Sequence, residues 1–249
     1  MLIMAQRDIF LHGTTKDVLN KVKKDKLYTK AGRATFTQSL KYTTYYAGET
    51  DTEILKNGVL LVFKSKYLKI AKDSWIKVKN SSKTVIGWPN RWRTEQYGFF
   101  PKSKNQHLGE EQLVASFYYT SEFLAFIDEM FDRIIAADIS QTWIDAQIAR
   151  LAKLLSKKEI QAITPKISLK ILAETMVRGT VRNLILREIR ANYISCLVLN
   201  GYKIHNPGQH SCDRWLKKDV KKSIGSVAKL IDKKFIPSDV RAEFTRLLA

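Results

Sequence analysis

The stretch from Phe10 to Tyr46 holds the side chains best suited to chemistry. Phe10-Leu11-His12-Gly13-Thr14-Thr15 reads as a buried strand ending on a histidine, then a glycine turn and a hydroxyl able to cap the next helix. His12 would then sit at a strand end facing a cleft. Farther on, Ala34-Thr35-Phe36-Thr37-Gln38-Ser39 reads as a second strand running into a helix that continues through Leu40-Lys41-Tyr42-Thr43-Thr44-Tyr45-Tyr46-Ala47. Tyr42 and Tyr46 lie one helical turn apart and share a face, so they can form one aromatic wall. An imidazole, a glycine, hydroxyls and phenols gathered this way suit a small-molecule site.

Several elements must position that group. Val18, Leu19 and Val22 recur at helical spacing with lysines opposite, which predicts a surface helix over 16–26. Leu27-Tyr28-Thr29 reads as a brief strand, and Lys30, Gly32 and Arg33 as a loop leading to Phe36. Gly58-Val59-Leu60-Leu61-Val62-Phe63 is a continuous apolar run of strand length, which predicts a buried strand. Trp75-Ile76-Lys77-Val78 alternates and reads as a more exposed one. Beyond Val114 the pattern is helical, over 122–136, 142–155 and 169–199, with Gly179 a candidate break in the last. The charges of Glu122–Ala136 are mostly acidic and suit a cationic neighbour. Asn200-Gly201 is a helix stop, 215–234 a lysine-rich helical tail, and Ile236-Pro237-Ser238-Asp239 the start of a last short helix.

The chain of 249 residues, 45% hydrophobic and 10% aromatic, has the composition of a globular protein. It holds no apolar run near the roughly 18 residues a membrane helix needs and no long apolar leader, so a cytoplasmic protein without membrane contact is expected. Two cysteines, Cys196 and Cys212, make no disulfide framework. With 43 Lys and Arg against 24 Asp and Glu, the net charge is +19, far beyond what solubility requires. A polyanion is the natural partner, and nucleic acid fits best because phosphate neutralisation rewards many dispersed cations. A chain that is merely basic, bound to an acidic inhibitor or a ribosome, is the plainer alternative.

From Gly87 onward aromatic and cationic side chains interleave with almost no acid: Trp88, Arg91, Trp92 and Arg93, then Tyr97, Phe99, Phe100, Lys102 and Lys104. With Pro89 and two glycines, the run reads as a loop rather than a helix. Its rings can stack on unpaired bases while its cations meet phosphates. The alternative is that Trp88 and Trp92 pack in the core beneath the arginines.

The order of His12, the aromatic and hydroxyl strand, and the helix carrying Tyr42 and Tyr46 resembles the His-Tyr-Glu-like branch of the ADP-ribosyltransferase superfamily. That resemblance covers roughly residues 7–120, and Glu110-Glu111-Gln112-Leu113-Val114 supplies its carboxylate, with Glu111 fitting better than Glu110. It implies an α+β fold: a split β-sheet NAD-binding catalytic region over 1–120, with a basic helical extension over 121–249 packed on it. It further implies NAD+ as substrate without a metal, and catalytic roles for Glu111, His12 and Tyr46. Glu111 would stabilise positive charge on the nicotinamide ribose, and His12 would orient the adenosine-side ribose. The Gly13 backbone and the Thr43 hydroxyl would hold the nicotinamide amide, and Tyr46 or Tyr42 would stack on its ring. Thr14, Phe36 and Thr37 would line the same cofactor site, and Arg33 would meet the pyrophosphate.

Similar enzymes modify nucleic acid as bacterial toxins or antiphage effectors, so RNA in preference to DNA, and a neutralising antitoxin protein, are the implied partners. The basic aromatic run stands where that family selects its acceptor. Three alternatives remain open: a protein acceptor, 2'-phosphate transfer from RNA, and a non-enzymatic single-stranded RNA-binding protein. Cys196, His205, His210 and Cys212 lack the close ligand pairs of a zinc finger, and phosphate-loop, dinucleotide-fingerprint and serine-triad motifs are absent from the sequence.

Overall fold

The computed structural model describes residues 9–24, 36–66, 68–70, 75–79, 84–89, 97–99, 108–199, 203–205, 229–230 and 233–248. In chain order the elements are β1 (Ile9–Thr15), α1 (Lys16–Lys24), α2 (Leu40–Ala47), α3 (Asp51–Asn57), β2 (Gly58–Lys64), β3 (Leu68–Ile70), β4 (Trp75–Lys79) and β5 (Thr84–Pro89). They continue with β6 (Tyr97–Phe99), β7 (Leu113–Tyr118), α4 (Ser121–Ile135), α5 (Gln141–Leu155), β8 (Gln161–Ile163), α6 (Leu169–Leu199), β9 (Lys203–His205) and α7 (Ser238–Leu248). The architecture is mixed, helices with antiparallel sheets, and is compatible with an α+β class. The chain forms two compact units, one from residues 1–71, 96–132 and 141–181, the other from 72–95, 133–140 and 182–249.

In the first unit a four-stranded antiparallel sheet runs in the order β1-β2-β7-β8. Every residue of β2 from Gly58 to Phe63 is buried, as its uninterrupted apolar sequence requires of a strand covered on both faces. Register puts His12 opposite Leu61 and Leu61 opposite Ser116. Residues opposite one another share a face, so Phe10, His12 and Thr14 lie on the side of Val59, Leu61 and Phe63. There Leu19 and Val22 of α1 complete an apolar cluster with Phe10, Phe36, Leu61, Phe63 and Leu113.

Gly13 faces the other side. A Cβ there would fall 1.7 Å from the Thr43 carbonyl oxygen, so the backbone of α2 lies directly against β1. The glycine turn expected after His12 is therefore corrected: β1 continues through Gly13 to Thr15, and the missing side chain serves packing. The second strand expected over 34–39 reduces, among the described residues, to bridges at Phe36 and Thr37. Thr37 exchanges hydrogen bonds with Leu11 of β1 (2.8 and 2.9 Å) and Phe36 with Tyr97 of β6 (2.9 and 2.8 Å). These two residues thus join the large sheet to the two-stranded β3-β6 sheet.

Gly179 does not interrupt α6. It lets the helix approach the segment before α2, since a Cβ would lie 2.6 Å from the Gln38 carbonyl oxygen. The neighbouring Thr180 hydroxyl accepts the Leu40 N–H at 2.8 Å, capping α2 from another helix where Ser39, its own N-cap residue, makes no side-chain cap bond. The acidic helix α4 meets cations as its sequence suggests: Asp128 pairs with Lys41, Glu129 with Arg150 at 2.6 Å, and Glu122 with Lys157.

In the second unit, β5-β4-β9 form a three-stranded antiparallel sheet. Trp88 belongs to β5, which corrects the loop expected there up to Pro89. Arg182 of α6 holds Asp239 in the first turn of α7 at 2.7 Å. Among the described residues no helix is long and apolar enough to cross a membrane.

Replacing Gly13 with alanine forces β1 and α2 apart, and the expected loss is about 3 kcal/mol of unfolding free energy in a urea titration. Stability within about 0.5 kcal/mol of the parent would show that the contact is not a constraint.

Candidate functional site

His12 is half-buried at the middle of β1 rather than at a strand end. Its ring lies 5.2 Å from that of Phe36, tilted by 41°. Phe36 in turn meets Phe63 edge-on at 5.6 Å, and Phe10 meets Tyr97 at 4.8 Å. The imidazole therefore sits on an aromatic floor beside Phe36 and Thr37, the residues through which the two sheets of this unit join.

On the opposite face, Thr43 is fully buried and its hydroxyl is engaged twice. It donates to the Leu40 carbonyl at 2.6 Å and accepts from the Tyr119 phenol at 2.7 Å. Both bonds engage the hydroxyl within the fold, between α2 and Tyr119. Thr37 is likewise buried, and its hydroxyl accepts the Ser39 N–H at 3.0 Å. Thr14 is buried on the face of His12. Tyr42 is buried with its ring 5.9 Å from Tyr45, while Tyr46, one turn beyond, is half-buried and is the better placed of the proposed stacking pair to meet a ligand.

Glu111 is exposed in the turn Gly109–Gln112 that leads into β7. The turn is closed by Gln112, whose side-chain oxygen accepts the Gly109 N–H at 3.0 Å. The Gln112 carbonyl accepts from Lys64 N–H at 2.9 Å, which sets the turn level with Ile9. His12 is three residues along β1 and two strands away, a separation on the order of 15 Å from the spacings of an antiparallel sheet. At that separation a ligand meeting both must be extended.

Arg33, Arg91, Trp92, Arg93, Phe100, Lys102 and Lys104 lie outside the described residues, and Trp88 and Phe99 are placed by their strands, β5 and β6. Among the described residues no cluster of three or more His, Cys, Asp or Glu could hold a metal ion.

Sequence reasoning overlooked two residues. Ser116 is fully buried in the same cross-strand row as His12, and its hydroxyl has no hydrogen-bond partner among the described residues. Tyr119 follows β7, stacks on Phe123 of α4 at 5.6 Å and reaches across the sheet to Thr43. Nothing local distinguishes it from any aromatic at a strand end. Burial pushes its phenol well above the ordinary value of 10.0, and the hydrogen bond with Thr43 offsets this only in part.

Tyr119→Phe removes the donor to Thr43 and is expected to lose about 1 kcal/mol at neutral pH. The pH dependence has a definite sign. Well below pH 10.0 the phenol is protonated in both states; as the pH approaches and passes that value the unfolded chain releases the proton first, so stability falls as pH rises. Unfolding titrations from pH 8 to 11 should show a shallower alkaline decline for Tyr119→Phe, and parallel declines would refute the assignment. Compared with protein-family models, curated proteins and solved structures, the chain matches none.

Proposed function

We propose that the chain is a mono-ADP-ribosyltransferase that uses NAD+ and modifies nucleic acid, RNA in preference to DNA, on an ADP-ribosyltransferase-like split-sheet domain in the cytoplasm. The observation that supports it most is the place of His12, half-buried on an aromatic floor where the two sheets of the first unit join through Phe36 and Thr37. The extended separation of His12 from Glu111 suits a dinucleotide, with each ribose answered by a different side chain.

NAD+ supplies an activated ribose whose bond to nicotinamide breaks as the acceptor's nucleophile bonds to the same carbon. The transition state carries positive charge on the sugar, like that of glycoside hydrolysis. Glu111 serves that charge: a carboxylate held near the ring favours the transition state over the ground state, and it takes the proton the acceptor releases. Its exposed turn lets an acceptor strand approach. His12 orients the adenosine-side ribose, and Tyr46 stacks on the nicotinamide ring. Thr43 holds α2 in place through its bonds to Leu40 and Tyr119. The net charge of +19 supports a polyanionic acceptor over a neutral one.

A non-enzymatic nucleic-acid-binding protein is the second reading, favoured by the exposure of Glu111 and the internal engagement of Thr43. Purified protein incubated with labelled NAD+ and separate pools of RNA, DNA and protein distinguishes the two. Transfer to RNA is expected, falling roughly 100- to 1,000-fold in Glu111→Gln and His12→Ala with folding retained. Label in protein alone ends the nucleic-acid proposal, and label nowhere leaves the binding protein.

A further inference from the structure

The order of strands in the first unit separates the two sides of the Glu111 turn. His12 lies on β1 and the turn leads into β7, so a dinucleotide reaching from Glu111 to His12 would cross β2 toward β1. On the other side of β7 stands β8. Just past β8, the Lys166 N–H donates to the Val114 carbonyl at 2.7 Å, which keeps Lys166 beside β7 on the side away from His12. Its ammonium reaches the Glu111 turn and donates to the Glu110 carbonyl at 3.0 Å.

That carbonyl belongs to the peptide joining Glu110 to Glu111, and it also accepts the Leu113 N–H at 3.2 Å. Covalent lengths then hold the ammonium within about 7 Å of the Glu111 Cα. An ammonium carries three donors and Lys166 uses one of them on this carbonyl; because the residue is exposed, the others are open to a ligand. Glu110 and Glu111 are both exposed, and among the described residues neither forms an ion pair. Two adjacent carboxylates repel a phosphate backbone, yet an acceptor strand must reach one of them. The Lys166 cation stands where it offsets that repulsion.

We propose that Lys166 binds a phosphate of the acceptor RNA and so sets the strand against Glu111. The proposal rests on the transferase reading for its substrate and adds the group that receives it. The pyrophosphate of NAD+ is the other phosphate in the reaction. It would lie between the two riboses, on the β1 side of the turn, whereas Lys166 approaches from the β8 side. Opposite sides of one turn thus serve different substrates. A residue that only clamped the turn would act through the placement of Glu111 and change the rate at saturating RNA, while one that holds the acceptor changes the RNA concentration needed.

Fluorescence anisotropy with a labelled mixed-sequence RNA oligonucleotide, repeated over a salt series without NAD+, reads the contact directly. One phosphate contact to a single strand contributes about 0.7 to the slope of log affinity against log salt, so Lys166→Gln should lower the slope by about 0.7 and Lys166→Arg should restore it. Lys21→Gln, the same charge change at an exposed position of α1, should leave it intact. In the transfer assay Lys166→Gln should raise KM for RNA roughly threefold to fivefold, with kcat and KM for NAD+ at the parent's values. A fall in kcat at unchanged KM would make Lys166 a clamp of the turn, and a rise in KM for NAD+ would assign it to the pyrophosphate. Either result overturns the proposal, as do equal slope losses from Lys166→Gln and Lys21→Gln or a parent chain that binds no RNA. Binding that depends on Lys166 without any transfer sinks the transferase and leaves the phosphate contact; transfer with the slope and KM for RNA unchanged does the reverse.

Discussion

The backbone of α2 rests on the backbone of β1 at Gly13, with no side chain between them, and the rest of the first unit is arranged to keep it there. Thr43 supplies the carbonyl that a Cβ at Gly13 would strike, and the same residue's hydroxyl ties the Leu40 carbonyl to the Tyr119 phenol. Thr180 caps the start of the helix, and Gly179 allows the approach that brings Thr180 within reach. Each of these buried hydrogen bonds is modest alone, on the order of 1 kcal/mol, but leaving one partner unpaired in the interior costs more. A short helix with little stability of its own is thus held at its start and its middle by strand, loop and neighbouring helix.

This arrangement divides the first unit by face. The side of α2 is dominated by structural hydroxyls and a protonated phenol. The other side has α1 closing an apolar cluster, with His12 as its half-buried polar member and Ser116 as a buried hydroxyl in the same row. Glu111 belongs to neither layer, because it stands at the end of the sheet in a turn fixed by Gln112 and Lys64. Polar groups kept at the rim can meet a ligand, whereas those between layers are spent on the fold.

Charge is divided as well. The first unit has 22 Lys and Arg against 15 acids, a net +7 in 149 residues, and much of its acid on α4 is paired with Lys41, Arg150 and Lys157. Those pairs are partly exposed and contribute little to stability. Their larger effect is to lower the field of this unit, leaving the second with the greater net positive charge. Fields of this kind are screened beyond about 10 Å at 0.1 M salt.

The sequence alone determined the elements whose pattern is local. The apolar run of β2, the strand at Trp75, the amphipathic periods of α4 and α5, the long α6 and the restart at Ser238 are all present as read, because such patterns are written locally in the chain. The strong positive charge was equally legible, being a sum over residues. Tertiary structure alone decided the meaning of Gly13 and Gly179, both readable as breaks and both in fact places where another backbone comes close. It likewise decided that Thr43 faces inward, that Tyr119 is its partner, that Glu111 stands far from His12, and that Lys166 reaches the Glu110 carbonyl. Each of these depends on pairings between residues distant in sequence, and the spacing of residue types along one chain carries no record of strand register or of which backbone will lie against a missing side chain.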